Sequence, residues 1–192
     1  MSLDKYKDKR NFKKTAEPEA GKSSGKDALS FVVQKHHATN LHYDLRLEVD
    51  GVLKSWAVPK GPSLNPADKR LAVMVEDHPF DYKDFEGTIP EEEYGGGEVI
   101  IWDQGSYQSL SSKDRNESEK LMREGLSKGE IKFVLNGKKL KGEFVLLKMK
   151  GRGENNWLLI KHRDNFASKE NVLDKGKSVV SGKTIEDLRE EG

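Results

Sequence analysis

The chain has 192 residues and carries 34 Lys+Arg against 33 Asp+Glu, a formal net charge of +1, with 34% hydrophobic residues. That length suits one domain with a sizeable core, and the near-cancelled charge excludes a uniformly basic binder, confining any phosphate-binding surface to a local patch. The absence of cysteine excludes disulfides and thiolate metal sites, and no apolar run reaches the roughly 18–20 residues that cross a bilayer, so the chain reads as soluble and intracellular.

Residues 1–26 are polar and basic, with Lys5, Lys7, Lys9, Arg10, Lys13, Lys14, Lys22 and Lys26, and only Leu3, Tyr6 and Phe12 as large apolar anchors. As a whole they read as a solvated arm; the sharper reading folds the part near Arg10 over a phosphate. From Leu29 the pattern turns to strands. Phe31-Val32-Val33-Gln34-Lys35-His36 is rich in β-formers and puts Val32, Gln34 and His36 on one face. Residues 42–49 alternate: His42, Asp44, Arg46 and Glu48 share one face, and Tyr43, Leu45, Leu47 and Val49 the other. Asp50-Gly51 supplies a two-residue hairpin turn, which sets Val49 opposite Val52, Arg46 opposite Ser55, Leu45 opposite Trp56 and Asp44 opposite Ala57. The polar face thereby gains only small neighbours, leaving room above Asp44 and Arg46.

A Pro/Gly-rich connection, Pro59-Lys60-Gly61-Pro62-Ser63, leads to a strand over residues 71–78, with Arg70, Glu76 and His78 sharing a face. Arg70 and His78 stand about 26 Å apart on a straight strand, too far for both to serve one metal. Tyr94-Gly95-Gly96-Gly97 precedes a strand at 98–102; without a following Gly-Lys-Ser/Thr it reads as a tight turn, not a phosphate-binding loop. A helix is expected over 112–126, followed by strands at 131–135, 142–149 and 157–161 with an Asn136-Gly137 turn. Many short strands with repeated turn signals predict a mainly β fold: a compact, closed or nearly closed barrel with one or two flanking helices. The chain divides into a basic arm (1–26), a barrel domain (27–166) and a polar tail (167–192) expected to fray.

Four of the five histidines fall between positions 36 and 78. His42 and Asp44, two apart on a strand, project to one side, and His36 closes a short loop that can fold back toward them. Two imidazoles and a carboxylate form a three-ligand set with positions left for water and substrate, suited to Mn²⁺, Zn²⁺ or Co²⁺. Arg46 adds a guanidinium fork, Lys60 can reach in from its loop, and His78 brings an acid–base group that can protonate a leaving oxygen. That is equipment for phosphoryl transfer. His37 points the opposite way, His162 reads as exposed, Glu48 as a surface pair, and Trp56, Trp102 and Trp157 as core.

The blocks Phe31-Val32-Val33-Gln34-Lys35-His36, Leu41-His42-Tyr43-Asp44-Leu45-Arg46-Leu47-Glu48, Ser55-Trp56-Ala57-Val58-Pro59-Lys60-Gly61-Pro62-Ser63 and Val75-Glu76-Asp77-His78-Pro79 together resemble the phosphoesterase domain of the bacterial DNA ligase D family. The likeness runs from about residue 5 to 166, and no Lys-x-Asp-Gly adenylation motif accompanies it. The resemblance implies a grooved β-barrel with a Mn²⁺-favouring site that removes a terminal ribonucleoside and then the resulting 3′-phosphate from primer–template ends in DNA repair. It implies His36, His42 and Asp44 as metal ligands, Arg46 and His78 as phosphate contacts, and Gln34 and Tyr82 as support. Lys60, Arg70 and Glu76 match positions linked to catalysis, with Arg70 read here as positioning substrate. Arg10 and Glu17 match an N-terminal motif in which Asn11 stands where the family usually has Asp. The implied partners are nucleic acid 3′ ends and a DNA ligase and polymerase of end joining, in the cytoplasm at the nucleoid, with no membrane. The rival readings are a non-catalytic nucleic-acid-binding barrel that recruits repair partners and a small-molecule phosphatase.

Overall fold

The computed structural model describes residues 3–21 and 27–192; Met1, Ser2 and the expected basic residues Lys22 and Lys26 lie outside the described residues. Nine strands form: β1 (Leu29–His37), β2 (Leu41–Val49), β3 (Val52–Val58), β4 (Arg70–Pro79), β5 (Gly87–Ile89), β6 (Gly97–Ser109), β7 (Glu130–Asn136), β8 (Lys141–Lys148) and β9 (Asn156–Lys161). Their order is β1-β2-β3-β4-β9-β8-β7-β6-β5, and β6 also pairs with β1, so eight strands close an antiparallel barrel while β5 hangs on β6 alone. Closure leaves those eight without a free edge.

The β2–β3 register agrees with the sequence expectation, with Val49 opposite Val52, Leu45 opposite Trp56 and Asp44 opposite Ala57. Asp50 and Gly51 both take positive φ, 53° and 79°, as a two-residue hairpin turn of matching twist requires. The inward side chains, among them Phe31, Val33, Leu45, Leu47, Trp56, Trp102, Phe133, Phe144 and Trp157, form the main core. Asp44, Arg46 and Gln34 therefore face outward. There a second cluster, Tyr6, Leu53, Phe80, Tyr82, Phe85, Ile89 and Val99, covers them.

Among the described residues, three α-helices accompany the barrel: α1 (Asp4–Asp8), α2 (Arg115–Lys128) and α3 (Ile185–Glu191). The middle helix starts three residues later than expected, because the Asp114 side chain caps it by accepting from Glu117 N, and Gly129 ends it in a left-handed conformation. Two segments differ more. The arm is not a solvated tail over residues 3–21: Tyr6 is fully buried and its hydroxyl donates to the Pro18 carbonyl. The C-terminal segment is not a loose polar tail: Val172 joins the main core and α3 packs Ile185 and Leu188 on Ile100. No helix among the described residues is long and apolar enough to cross a membrane.

Candidate metal centre

β1 and β2 pair so that His36 lies opposite His42 and Gln34 opposite Asp44. The short loop after His37 thus folds the chain back, as expected, and does so as the turn of an antiparallel β1–β2 hairpin. One ligand atom from each of His36, His42 and Asp44 falls within 4.8 Å of the others. His42 Nε2 is 3.3 Å and His36 Nδ1 is 3.7 Å from Asp44 Oδ2.

The other nitrogen of each ring decides what this cluster holds. His36 Nε2 lies 2.7 Å from the Gly95 carbonyl and His42 Nδ1 lies 3.1 Å from the Asn40 carbonyl. A carbonyl only accepts, so in the neutral rings these nitrogens carry the hydrogens. His36 Nδ1 and His42 Nε2 then present lone pairs toward a carboxylate oxygen. Three acceptors facing one another are satisfied by a positive charge between them, a proton on a ring nitrogen or a metal ion. Ligand atoms about 2.0–2.2 Å from one divalent ion stand at most about 4.4 Å apart; the 3.3 and 3.7 Å separations from Asp44 Oδ2 meet that limit, so the donor set fits a metal. Burial alone would raise the Asp44 carboxyl, but the Arg46 guanidinium, and then the facing His36 and His42 rings, hold it well below the usual carboxylate range. Burial likewise opposes a charged His42 ring, yet Asp44 raises it.

The Gly95 carbonyl is a functional group that sequence reasoning passed over. The turn before β6 reads only as a tight turn, but Gly95 (φ 75°) and Gly97 (φ 139°) bring its backbone onto β1. A Cβ on Gly97 would overlap the His37 carbonyl, so glycine is required there.

Arg46 is buried at 4% exposure. Its Nε donates to Gln34 Oε1 at 2.7 Å, and Gln34 Nε2 in turn donates to the Tyr82 and Phe85 carbonyls. Its Nη2 lies 3.5 Å from Asp44 Oδ2, while Nη1 is buried without a partner. An unpaired buried guanidinium N–H costs free energy unless an acceptor arrives. The pocket that it shares is lined also by Arg10, His36, His42, Asp44, His78 and Tyr94.

The arm supplies the far wall. Arg10 Nε donates to Glu17 Oε2 (2.9 Å), the Tyr82 hydroxyl donates to the same oxygen (2.7 Å), and Arg10 Nη2 donates to His78 Nε2 (3.4 Å). Glu76 sits 3.6 Å from Arg10 and 3.3 Å from Lys9. Burial, then Glu17, pushes the Tyr82 phenol well above its ordinary range. Burial, then Arg46 and Arg10, holds His78 well below its ordinary value. With Nδ1 against the Glu76 carbonyl, neutral His78 turns its Nε2 lone pair to Arg10. Asn11 accepts from Lys13 N in an exposed turn, a task an amide oxygen performs as a carboxylate would.

Two expected residues are not brought to this pocket. Lys60, exposed, lines a separate cleft with Arg70 and Asp68; Pro59 and Gly61 turn the chain away after β3. Glu48 is buried, not at the surface, and meets Arg115 at 2.9 Å. His162 is half-buried beside Glu143, because β9 ends there on β8. His37 faces away toward Arg189 and Glu98.

Comparison with known proteins adds family to geometry. The sequence matches the DNA Ligase D 3′-phosphoesterase domain over residues 34–148. It is 48% identical, over 95% of its length, to the multifunctional non-homologous end joining protein LigD of Pseudomonas aeruginosa, of which it covers 22%. Against the LigD proteins of Mycolicibacterium smegmatis and Mycobacterium tuberculosis the identities are 45% and 42%, over 84% and 78% of this chain and 21% and 18% of theirs. The chain thus spans about a fifth of the relatives it matches.

Proposed function

The chain belongs to the DNA ligase D 3′-phosphoesterase domain family, and on that premise we propose that it is a metal-dependent hydrolase that trims the 3′ ends of primer–template nucleic acid in end-joining repair. The observation that carries this reading is the convergence of His36 Nδ1, His42 Nε2 and Asp44 Oδ2 in one pocket with the unpaired Nη1 of Arg46. We assign Mn²⁺ as the cofactor, Zn²⁺ or Co²⁺ being compatible with the same nitrogen-and-oxygen set. When bound, the metal supplies Lewis-acid polarisation of a phosphate oxygen.

The chain's own groups do the rest. Arg46, braced through Nε by Gln34, offers its remaining N–H groups to the phosphate and stabilises charge as it develops on the oxygens. Arg10, tethered by Glu17, brings a second guanidinium from the arm. His78 starts neutral; once substrate draws Arg10 off its Nε2, that nitrogen takes a proton from the attacking water and returns it to the leaving oxygen. Glu76 acts through Arg10 as a positioning residue. Lys60 and Arg70, in their separate cleft, position substrate away from the metal. The two steps are release of a terminal ribonucleoside to leave a 3′-phosphate, then release of that phosphate to leave a 3′-OH. A DNA ligase and a polymerase of end joining are the partners we assign, in the cytoplasm at the nucleoid.

A labelled primer–template ending in one 3′ ribonucleotide, incubated with Mn²⁺ or with chelator, tests the reading. Metal-dependent shortening through a 3′-phosphate to a 3′-OH is expected. Absence of product from a protein measured to hold its metal overturns it in favour of a non-catalytic binding module.

A further inference from the structure

Five lysines gather at the end of the barrel where β1 finishes and the β7–β8 turn lies. Lys35 comes from β1, Lys138 and Lys139 from that turn, and Lys175 and Lys177 from the C-terminal segment that crosses it. Their backbone is held firmly. Asp103, fully buried, accepts from the N–H groups of Lys138 (2.8 Å), Lys139 (3.2 Å) and Leu140 (2.8 Å), and Trp102 Nε1 donates to the Lys175 carbonyl (2.7 Å). Lys139 Nζ stands 4.7 Å from the Trp102 ring centroid and donates to the Lys177 carbonyl; Lys138 Nζ donates to the Val179 carbonyl.

Lys54, Lys161 and Lys183 each lie against a carboxylate. Among the described residues, none of the five does. Asp103, the acid that faces Lys139, is engaged by three backbone amides, and Asp187, which faces Lys177, is engaged by Thr184 at the start of α3. Burial, and then the charges of Lys35 and Lys175 against the opposing pull of Asp103, push the Lys139 ammonium down to about 8. With a net charge of only +1, the chain without these five lysines would be acidic, so the patch is a concentrated local field.

Resting on the end-processing reading above, we propose that this lysine cluster is a docking surface for the phosphate backbone of the nucleic acid whose 3′ end enters the metal pocket. Lys35 is flanked on β1 by Gln34 and His36, whose side chains go to the opposite face. Cluster and ligands therefore sit on two sides of one strand, near one end of the barrel. A lone phosphate would need donors converging on one point. Ammonium groups spread over three segments instead match a run of phosphates, met as point charges without reading sequence.

The test is binding of labelled primer–template to the full chain by fluorescence anisotropy across a salt series, with metal left out. One variant carries Lys138→Glu, Lys175→Glu and Lys177→Glu, all exposed positions; a second carries Lys35→Gln and Lys139→Gln. Binding weaker by on the order of tenfold is expected, with a salt slope smaller by about one for each phosphate no longer neutralised, and unchanged hydrolysis of a nucleotide 3′-monophosphate. Wild-type affinity and slope in both variants overturn the proposal, as does an equal loss on the mononucleotide, which marks a folding effect. Binding through these lysines by a chain that hydrolyses nothing leaves the docking surface standing and removes the end-processing reading instead.

Discussion

Arg46 and the three ligands share a pocket but fail differently when changed. His42→Ala removes a ligand and should abolish both metal binding and turnover. Arg46→Ala leaves all three ligand atoms in place, so metal affinity should hold while turnover falls by about 10²–10³, the cost of losing a charge-stabilising donor; a metal titration beside single-turnover rates separates the two. Glu17 is a support of another kind. It is buried against Arg10 and Tyr82, and Glu17→Ala strands a buried guanidinium, so we expect a loss of about 3 kcal/mol in denaturant unfolding. Tyr82→Phe removes one neutral donor and should cost nearer ~1 kcal/mol. The two imidazoles pull stability in opposite directions with pH. His78 is held below its ordinary value; its contribution is present above the unfolded pKa near about 6.5 and lost as pH falls through the folded value. His42 is raised, so its contribution is present below about 6.5 and lost as pH rises through its folded value. In the metal-free protein, His78→Asn should flatten the acid side of the stability curve and leave the alkaline side; an unchanged acid side would show that His78 titrates normally. The ligand types at 36, 42 and 44 are visible in the sequence because alternation fixes a shared face. The carbonyls of Gly95 and Asn40 are not, since every residue has one and only the fold says which is near.

At the scale of elements, legibility follows how local the deciding force is. The β2–β3 hairpin is readable because Asp50-Gly51 and the period-2 pattern fix register within 18 residues. The C-terminal helix α3 is not: only Ile185 and Leu188 are apolar and buried in its seven residues, too little periodicity to set a segment apart from a polar tail. One signal was present. Thr184 and Asp187 form a capping box, each side chain bonded to the other's backbone. That cap starts the helix, and packing on Ile100 keeps it. Leu188→Ala should therefore release α3, costing about 2 kcal/mol or more, with amide exchange rising in residues 185–191 while the barrel stays protected. Exchange rising equally in β6 would show that α3 braces the strand.

For the whole molecule the decisive fact is which surface the site occupies. The barrel interior is filled by Trp56, Trp102, Trp157 and their neighbours, so it has no room for substrate, and the chemistry sits on the outer face of β1 and β2. Periodicity shows two faces on each strand, but closure of β1 on β6, about 60 to 80 residues away in sequence, is a non-local pairing that no short window records. An outer-face site needs a cover to exclude water, and the arm provides one. Arg10 bonds His78, while Glu17 ties Arg10 to Tyr82. No described arm residue belongs to the main core; Tyr6 belongs to the outer cluster. Removing residues 1–20 should therefore leave a folded barrel, seen as a retained cooperative transition and β-type circular dichroism. It should also leave metal affinity within a few-fold, because the three ligands lie on β1 and β2, and the carbonyls that orient them lie in the β1–β2 turn (Asn40) and the turn before β6 (Gly95), none of them in the arm. Turnover should fall by about 10² or more, as Arg10 is lost and Tyr82 and His78 open to water. If metal affinity collapsed with the arm, the cluster would depend on the cover for its geometry, and the arm would be part of the ligand scaffold.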